Sequence, residues 1–181
     1  MNVSGIDSSL TACGLARHTN GQLVTAVVRT KKQGDDLRSQ SDRIEYVAGR
    51  ALDWLPDSGL FVIETPPPVL TGGLAIERHA LYYLLVRVLL RRGDVVTVSP
   101  TTRAMYATGN GRAKKPEVLA AMRATFPDVR LSDDNAADAL ALLAMGSRRL
   151  GSPLEVEPLS KKQNAAGEAL RWPTQTKEAL S

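Results

Sequence analysis

Four consecutive apolar residues, Leu60-Phe61-Val62-Ile63, run directly into Glu64 and then into Pro66-Pro67-Pro68 and Gly72-Gly73. The run is too short for a helix, and the breakers stop it at once, so it reads as a strand buried on both faces. A strand covered on both faces needs helices packed on either side of its sheet. The flanking sequence supplies them. Ile44, Val47, Ala48, Ala51, Leu52 and Leu55 recur at helical spacing, and Leu74 to Arg92 holds no helix breaker. Val95 to Val98 is a second apolar run of the same strand type.

The chain opens with three strand-like runs: Val3 to Ile6, Thr11 to Arg17, and Leu23 to Thr30. Asn20-Gly21 separates the last two and is a strong hairpin signal, because both residues tolerate the positive φ of a tight turn. Ser99-Pro100 reads as an N-cap with proline at the first helical position. Pro116 to Thr125 and Asp134 to Met145 read as further helices, the latter capped by Ser132 or Asp133. The predicted class is therefore α/β: a five-stranded mixed sheet, an antiparallel three-strand meander plus two parallel strands, flanked by helices. Residues 1–150 form this domain. Residues 151–181 are a polar tail, with a linker over Gly151 to Pro158 and a short docking helix over Asn164 to Trp172.

Composition narrows the function classes. No apolar run nears the roughly 18 residues of a membrane span, and Met1 to Ile6 lacks the basic and apolar regions of a signal peptide. Cys13 is the one cysteine, which excludes an intrachain disulfide. His18 and His79 are too few for a histidine-based zinc centre. These features point to a cytoplasmic protein. The net charge of +4 leans toward a polyanionic partner. Aromatics are only 4%, so base-stacking platforms are not the expected mode of binding.

Asp7 ends the first strand, Glu64 ends the fourth, and Asp134 and Asp138 lie four apart on the last helix, hence on one face. A carboxylate at the end of a buried strand is costly without a partner. Two of them on strands able to lie side by side suggest a shared cation, and oxygen-rich clusters suit Mg2+ or Mn2+. Each acid alone has an ordinary structural reading. Asp7-Ser8-Ser9 serves as a turn, and Asp133-Asp134 serves as a cap and first helical turn. Glu64, between an apolar strand and a proline run, resists that reading best.

The local sequences add a resemblance. Gly5-Ile6-Asp7-Ser8-Ser9-Leu10-Thr11-Ala12-Cys13-Gly14-Leu15-Ala16 resembles the first motif of RuvC-type Holliday junction resolvases. Val62-Ile63-Glu64 is similar to their second acidic motif, and Ala136-Ala137-Asp138-Ala139-Leu140-Ala141 to their last. Ser99-Pro100 through Gly109-Asn110-Gly111-Arg112-Ala113-Lys114-Lys115 resembles the segment before their third helix. The motifs occur in order from Val3 to about Met145. The resemblance implies an RNase H-like fold, two Mg2+ ions (Mn2+ substituting), a homodimer, and paired nicks across a four-way DNA junction. It carries Asp7, Glu64 and Asp138 over as metal ligands and places Lys115 near the scissile phosphate. The fourth acid of the family falls on neutral Asn135, which makes Asp134 the candidate replacement. A second family lysine falls on Ala104, with Arg103 beside it. Ser8 and Ser9 replace a proline and a glycine, as in divergent, often phage-encoded, relatives; a phage protein of this kind would act in the host cytoplasm.

Arg103, Arg112, Lys114 and Lys115 surround a glycine-containing loop suited to following a DNA backbone. Val69 and Leu70, directly after the second acidic motif, are candidates for an apolar wedge at the junction centre. Leu81 to Leu90 is apolar nearly all round, so one face is expected to cover the sheet and the other to meet a twin subunit. Competing readings are a branched-DNA-binding module without catalysis, a YqgF-like RNase, and half of an actin-like kinase or ATPase. The last needs two such domains, and 181 residues hold one.

Overall fold

A computed structural model describes residues 2–67 and 75–173 of the chain. Val69 and Leu70 lie outside the described residues. Among the described residues, five strands run β1 (Val3–Asp7), β2 (Ala12–Thr19), β3 (Gln22–Arg29), β4 (Gly59–Glu64) and β5 (Gly93–Val98). They form one sheet in the order β3-β2-β1-β4-β5. The first three are an antiparallel meander, while β4 joins β1, and β5 joins β4, in parallel. This is the mixed sheet expected from the sequence. The β2–β3 hairpin turns on Asn20 and Gly21 at φ 53° and 76°, both left-handed, as a two-residue primed turn requires.

The helices are α1 (Leu37–Trp54), α2 (Ala75–Leu89), α3 (Pro100–Thr108), α4 (Lys115–Thr125), α5 (Asp134–Arg149) and α6 (Lys161–Glu168). The sheet divides two cores. Phe61 and Ile63 of β4 join Ile6, Leu15, Leu81, Leu85 and the buried face of α1 on one side. Leu60 and Val62 join α3, α4 and α5 on the other. β4 is apolar at four successive positions because both its faces are covered. Burying Phe61 or Ile63 completely contributes roughly 1.5–3 kcal/mol each.

The seat of α5 depends on two glycines. A Cβ on Gly14 of β2 would stand 2.0 Å from the Asn135 carbonyl oxygen, and one on Gly5 of β1 would stand 2.0 Å from that of Ala139. The helix therefore rests backbone to backbone on the sheet. Its N-cap is Asp133, which accepts from Ala136 N at 3.0 Å, and all residues from Asn135 to Ser147 are buried.

Beyond residue 150 the chain returns to the body. Glu155 has a buried side chain that pairs with Arg148 at 3.0 Å and accepts from the Tyr106 hydroxyl. The helix expected over Asn164–Trp172 starts earlier, at Lys161, and packs against α3. Ser160 caps it, accepting from Gln163 N at 3.4 Å. Among the described residues, no helix is long and apolar enough to cross a membrane.

Candidate active site

Because β1 and β4 are parallel neighbours with Ile6 opposite Ile63, their terminal carboxylates, Asp7 and Glu64, emerge side by side at one edge of the sheet. α5 crosses that edge and brings Asp138, 2% exposed, to the same place. The three acids line one cavity of about 390 Å³, with Ser8, Arg78, Arg103, Lys115 and Asn135 also in its wall.

Their electrostatics follow from crowding. Burial, then the neighbouring charges of Glu64 and Asp138, push the Asp7 carboxyl well above its usual range. Burial pushes Asp138 up to about 7, against the pull of Arg103. Burial is the larger cause at both acids, and the mutual repulsion of the carboxylates adds to it at each.

Arg103 is the chief compensating group. Its guanidinium is buried and bridges two elements, with Nε donating to Glu64 Oε2 at 2.7 Å and Nη1 donating to Asp138 Oδ1 at 2.5 Å. α3 holds it there: Ser99 caps the helix, Pro100 starts it, and Arg103 N donates to Ser99 O at 3.0 Å. The sequence groups Arg103 with Arg112, Lys114 and Lys115 around the glycine-containing loop; the structure places it on α3 with its side chain turned onto the acids. Ala104, where the family's lysine falls, is buried in the core instead.

The two candidates for the fourth ligand separate cleanly. Asp134 stands outside the cavity wall and pairs with Lys115. That lysine holds the Asp134 carboxyl below its ordinary value, against the partial burial that opposes the shift. Asn135 lines the cavity, and its amide nitrogen is placed to donate to Asp7 Oδ2 and Ala12 O, both at 3.3 Å. It acts as a hydrogen-bond donor to Asp7. Lys115 reaches the rim, while Arg112 and Lys114 are exposed on the α3–α4 loop and do not line the cavity. Arg78 of α2 lies in the wall and was not singled out from the sequence; the register of α2 against the sheet is what places it there.

Among the described residues, no group of three acids, histidines or cysteines converges as a ready-made metal site. The donor chemistry still fits a hard divalent cation. Among the described residues, three buried or half-buried carboxylates face one cavity against the buried guanidinium of Arg103, and carboxylate oxygens are the ligands Mg2+ and Mn2+ prefer. Arg103 occupies the bridging position between two of them.

No protein-family model matches the chain, and no curated protein matches it in sequence. Solved structures do match. The chain aligns with the Thermus thermophilus RuvC structure at a TM-score of 0.61 and 23% identity, over 84% of this chain and 98% of that one. It aligns with T. thermophilus RuvC in complex with Holliday junction substrate at 0.59 and 21%, over 84% and 97%. The chain has the RuvC-like, RNase H-like fold.

Proposed function

We propose that this protein is a metal-dependent endonuclease that cuts branched DNA, with four-way junctions as the foremost substrate. The observation that carries this reading is the convergence of Asp7, Glu64 and Asp138, from β1, β4 and α5, on one cavity of a RuvC-like fold. A structural neighbour with the same fold is described in complex with Holliday junction substrate.

Asp7, Glu64 and Asp138 would hold Mg2+ or Mn2+. Bound there, the metal supplies Lewis acidity that activates water and offsets charge on the phosphate. The chain's own residues do the rest. Asn135 orients Asp7 through its amide. Lys115, at the rim, offers a cation to the phosphate under attack. Arg112 and Lys114, exposed on the adjoining loop, follow the DNA backbone and make binding fall steeply with salt. The outer stripe of α2, Ile76, Ala80, Tyr83 and Arg87, continued by Leu90 just past its end, is exposed at helical spacing. That stripe supports a two-fold homodimer presenting one site to each of two strands.

The test is cleavage of a labelled synthetic four-way junction with Mg2+, beside linear duplex, flap and RNA–DNA hybrid, for wild type and Glu64→Gln. Cleavage of branched DNA that Glu64→Gln abolishes is the expected result. A second reading, a branched-DNA-binding protein without catalysis, draws on neutral Asn135 and on the Arg103 bridge across two of the acids. Tight junction binding with no cut in either Mg2+ or Mn2+ would select it.

A further inference from the structure

We infer that Arg103 is an internal counter-cation that competes with divalent metal for Glu64 and Asp138, and so sets how tightly the site takes metal. The inference rests on the reading of Asp7, Glu64 and Asp138 as metal ligands.

The geometry is specific. Two different nitrogens of one guanidinium engage two different carboxylates, from β4 and from α5, at 2.7 and 2.5 Å. The arginine side chain is only 9% exposed, and the two acids are 13% and 3% exposed. Three carboxylates with no cation would be far too costly to bury together. A fork of fixed donors meets that cost without metal, because a guanidinium stays protonated under all ordinary conditions.

The same contacts oppose a second cation at this pair, because Arg103 engages one oxygen of each carboxylate, Glu64 Oε2 and Asp138 Oδ1, and a cation has to share them or take the oxygens beside them. A divalent ion next to that trapped positive charge is repelled in a poorly screened cavity. Metal that draws on Glu64 and Asp138 together therefore binds against the charge of Arg103, and gains both engaged oxygens only where Arg103 gives them up. Lys115 cannot take over the bridge, since it sits at the rim and is paired with Asp134. Without metal, Arg103 is the cation that meets the charge of Glu64 and Asp138; with metal bound, it would be the competing cation.

The experiment is calorimetric titration with Mn2+ and with Mg2+, alongside thermal melting in EDTA and in each metal, for full-length wild type, Arg103→Gln, Arg103→Lys and Glu64→Gln. Arg103→Gln should melt lower in EDTA, gain more from Mn2+ than wild type does, and bind Mn2+ about tenfold or more tightly, the scale of a lost charge-assisted hydrogen bond. Arg103→Lys, which keeps the charge but loses the fixed fork of the guanidinium, should fall between. Equal or weaker Mn2+ binding by Arg103→Gln would overturn the inference. If Arg103→Gln does not fold in EDTA, recovery of the fold by Mn2+ supports the inference. Failure to recover, with Arg103→Lys binding Mn2+ as wild type does, overturns it. Absence of metal binding in every variant would instead remove the metal-ligand reading beneath it, whereas loss of binding in Glu64→Gln alone keeps that reading in place.

Discussion

Replacing Gly14 with alanine tests the contact that places the acids. The added Cβ would lie 2.0 Å from the Asn135 carbonyl oxygen and 2.6 Å from its carbonyl carbon. Real Cβ contacts essentially never fall below 3.0 Å, so the start of α5 must lift by about 1 Å. No rotamer change can relieve this, because backbone faces backbone. Overpacking of a fitted core costs about 1–3 kcal/mol and more where nothing yields, and a domain has only about 5–15 kcal/mol in total. The expected loss is about 3 kcal/mol, at the upper end of that range. It is read from urea denaturation followed by circular dichroism. Gly49, exposed in the middle of α1, is the internal control: its added Cβ meets nothing within 4 Å. Gly49→Ala should therefore gain about 0.5–1 kcal/mol from backbone entropy and helix propensity. Lifting α5 also carries Asn135 and Asp138 away from Asp7, so Gly14→Ala should weaken Mn2+ binding while Gly49→Ala leaves it unchanged. A Gly14→Ala protein within 0.5 kcal/mol of wild type would refute the close seat of α5 and the account of the site built on it.

In EDTA, stability should fall as pH rises from about 4 toward 7. Burial holds the Asp138 proton up to about pH 7 in the folded state, whereas an ordinary unfolded carboxyl releases it near pH 4, so over that window the native state binds more protons. Melting temperatures across the range check this, and Asp138→Asn should flatten the slope; a wild-type melting temperature that climbs with pH would contradict it. For the outer stripe of α2, Tyr83→Glu places a charge at a side chain 65% exposed. Sedimentation at micromolar concentration should show a wild-type dimer and a Tyr83→Glu monomer, and a monomeric wild type would remove the self-association reading.

The sheet was legible because its strands carry two-sided information. Leu60 to Ile63 is apolar at every position, which only burial on both faces explains, and the structure fills both faces. Asn20-Gly21 was legible for a different reason: the turn demands positive φ twice, and these two residues supply it cheaply. The convergence of Asp7 and Glu64 followed from the strand ends alone, once β1 and β4 lie side by side.

What the sequence left open was helical phase, and the site turns on it. Successive residues of a helix point about 100° apart, so a neighbour in sequence is not a neighbour in space. Arg103 and Ala104 show this on α3, one bridging two acids and the other in the core. Asp134 and Asn135 show it on α5: the charged residue faces out to Lys115, and the neutral one faces Asp7. No local pattern sets that rotation. It is set by where α5 comes to rest, and α5 rests on Gly14 through Asn135 and on Gly5 through Ala139. Asn135 and Ala139 are four apart, on one side of the helix, and that side is pressed against the sheet. Asp138, next to Ala139, then turns toward the end of β4, while Asp134, next to Asn135, turns toward the start of α4. A shift of one residue in that seat would exchange Asp134 for Asn135 at the cavity. The two glycines, which bear no functional group, therefore decide which side chains of α5 join Asp7 and Glu64 at the cavity.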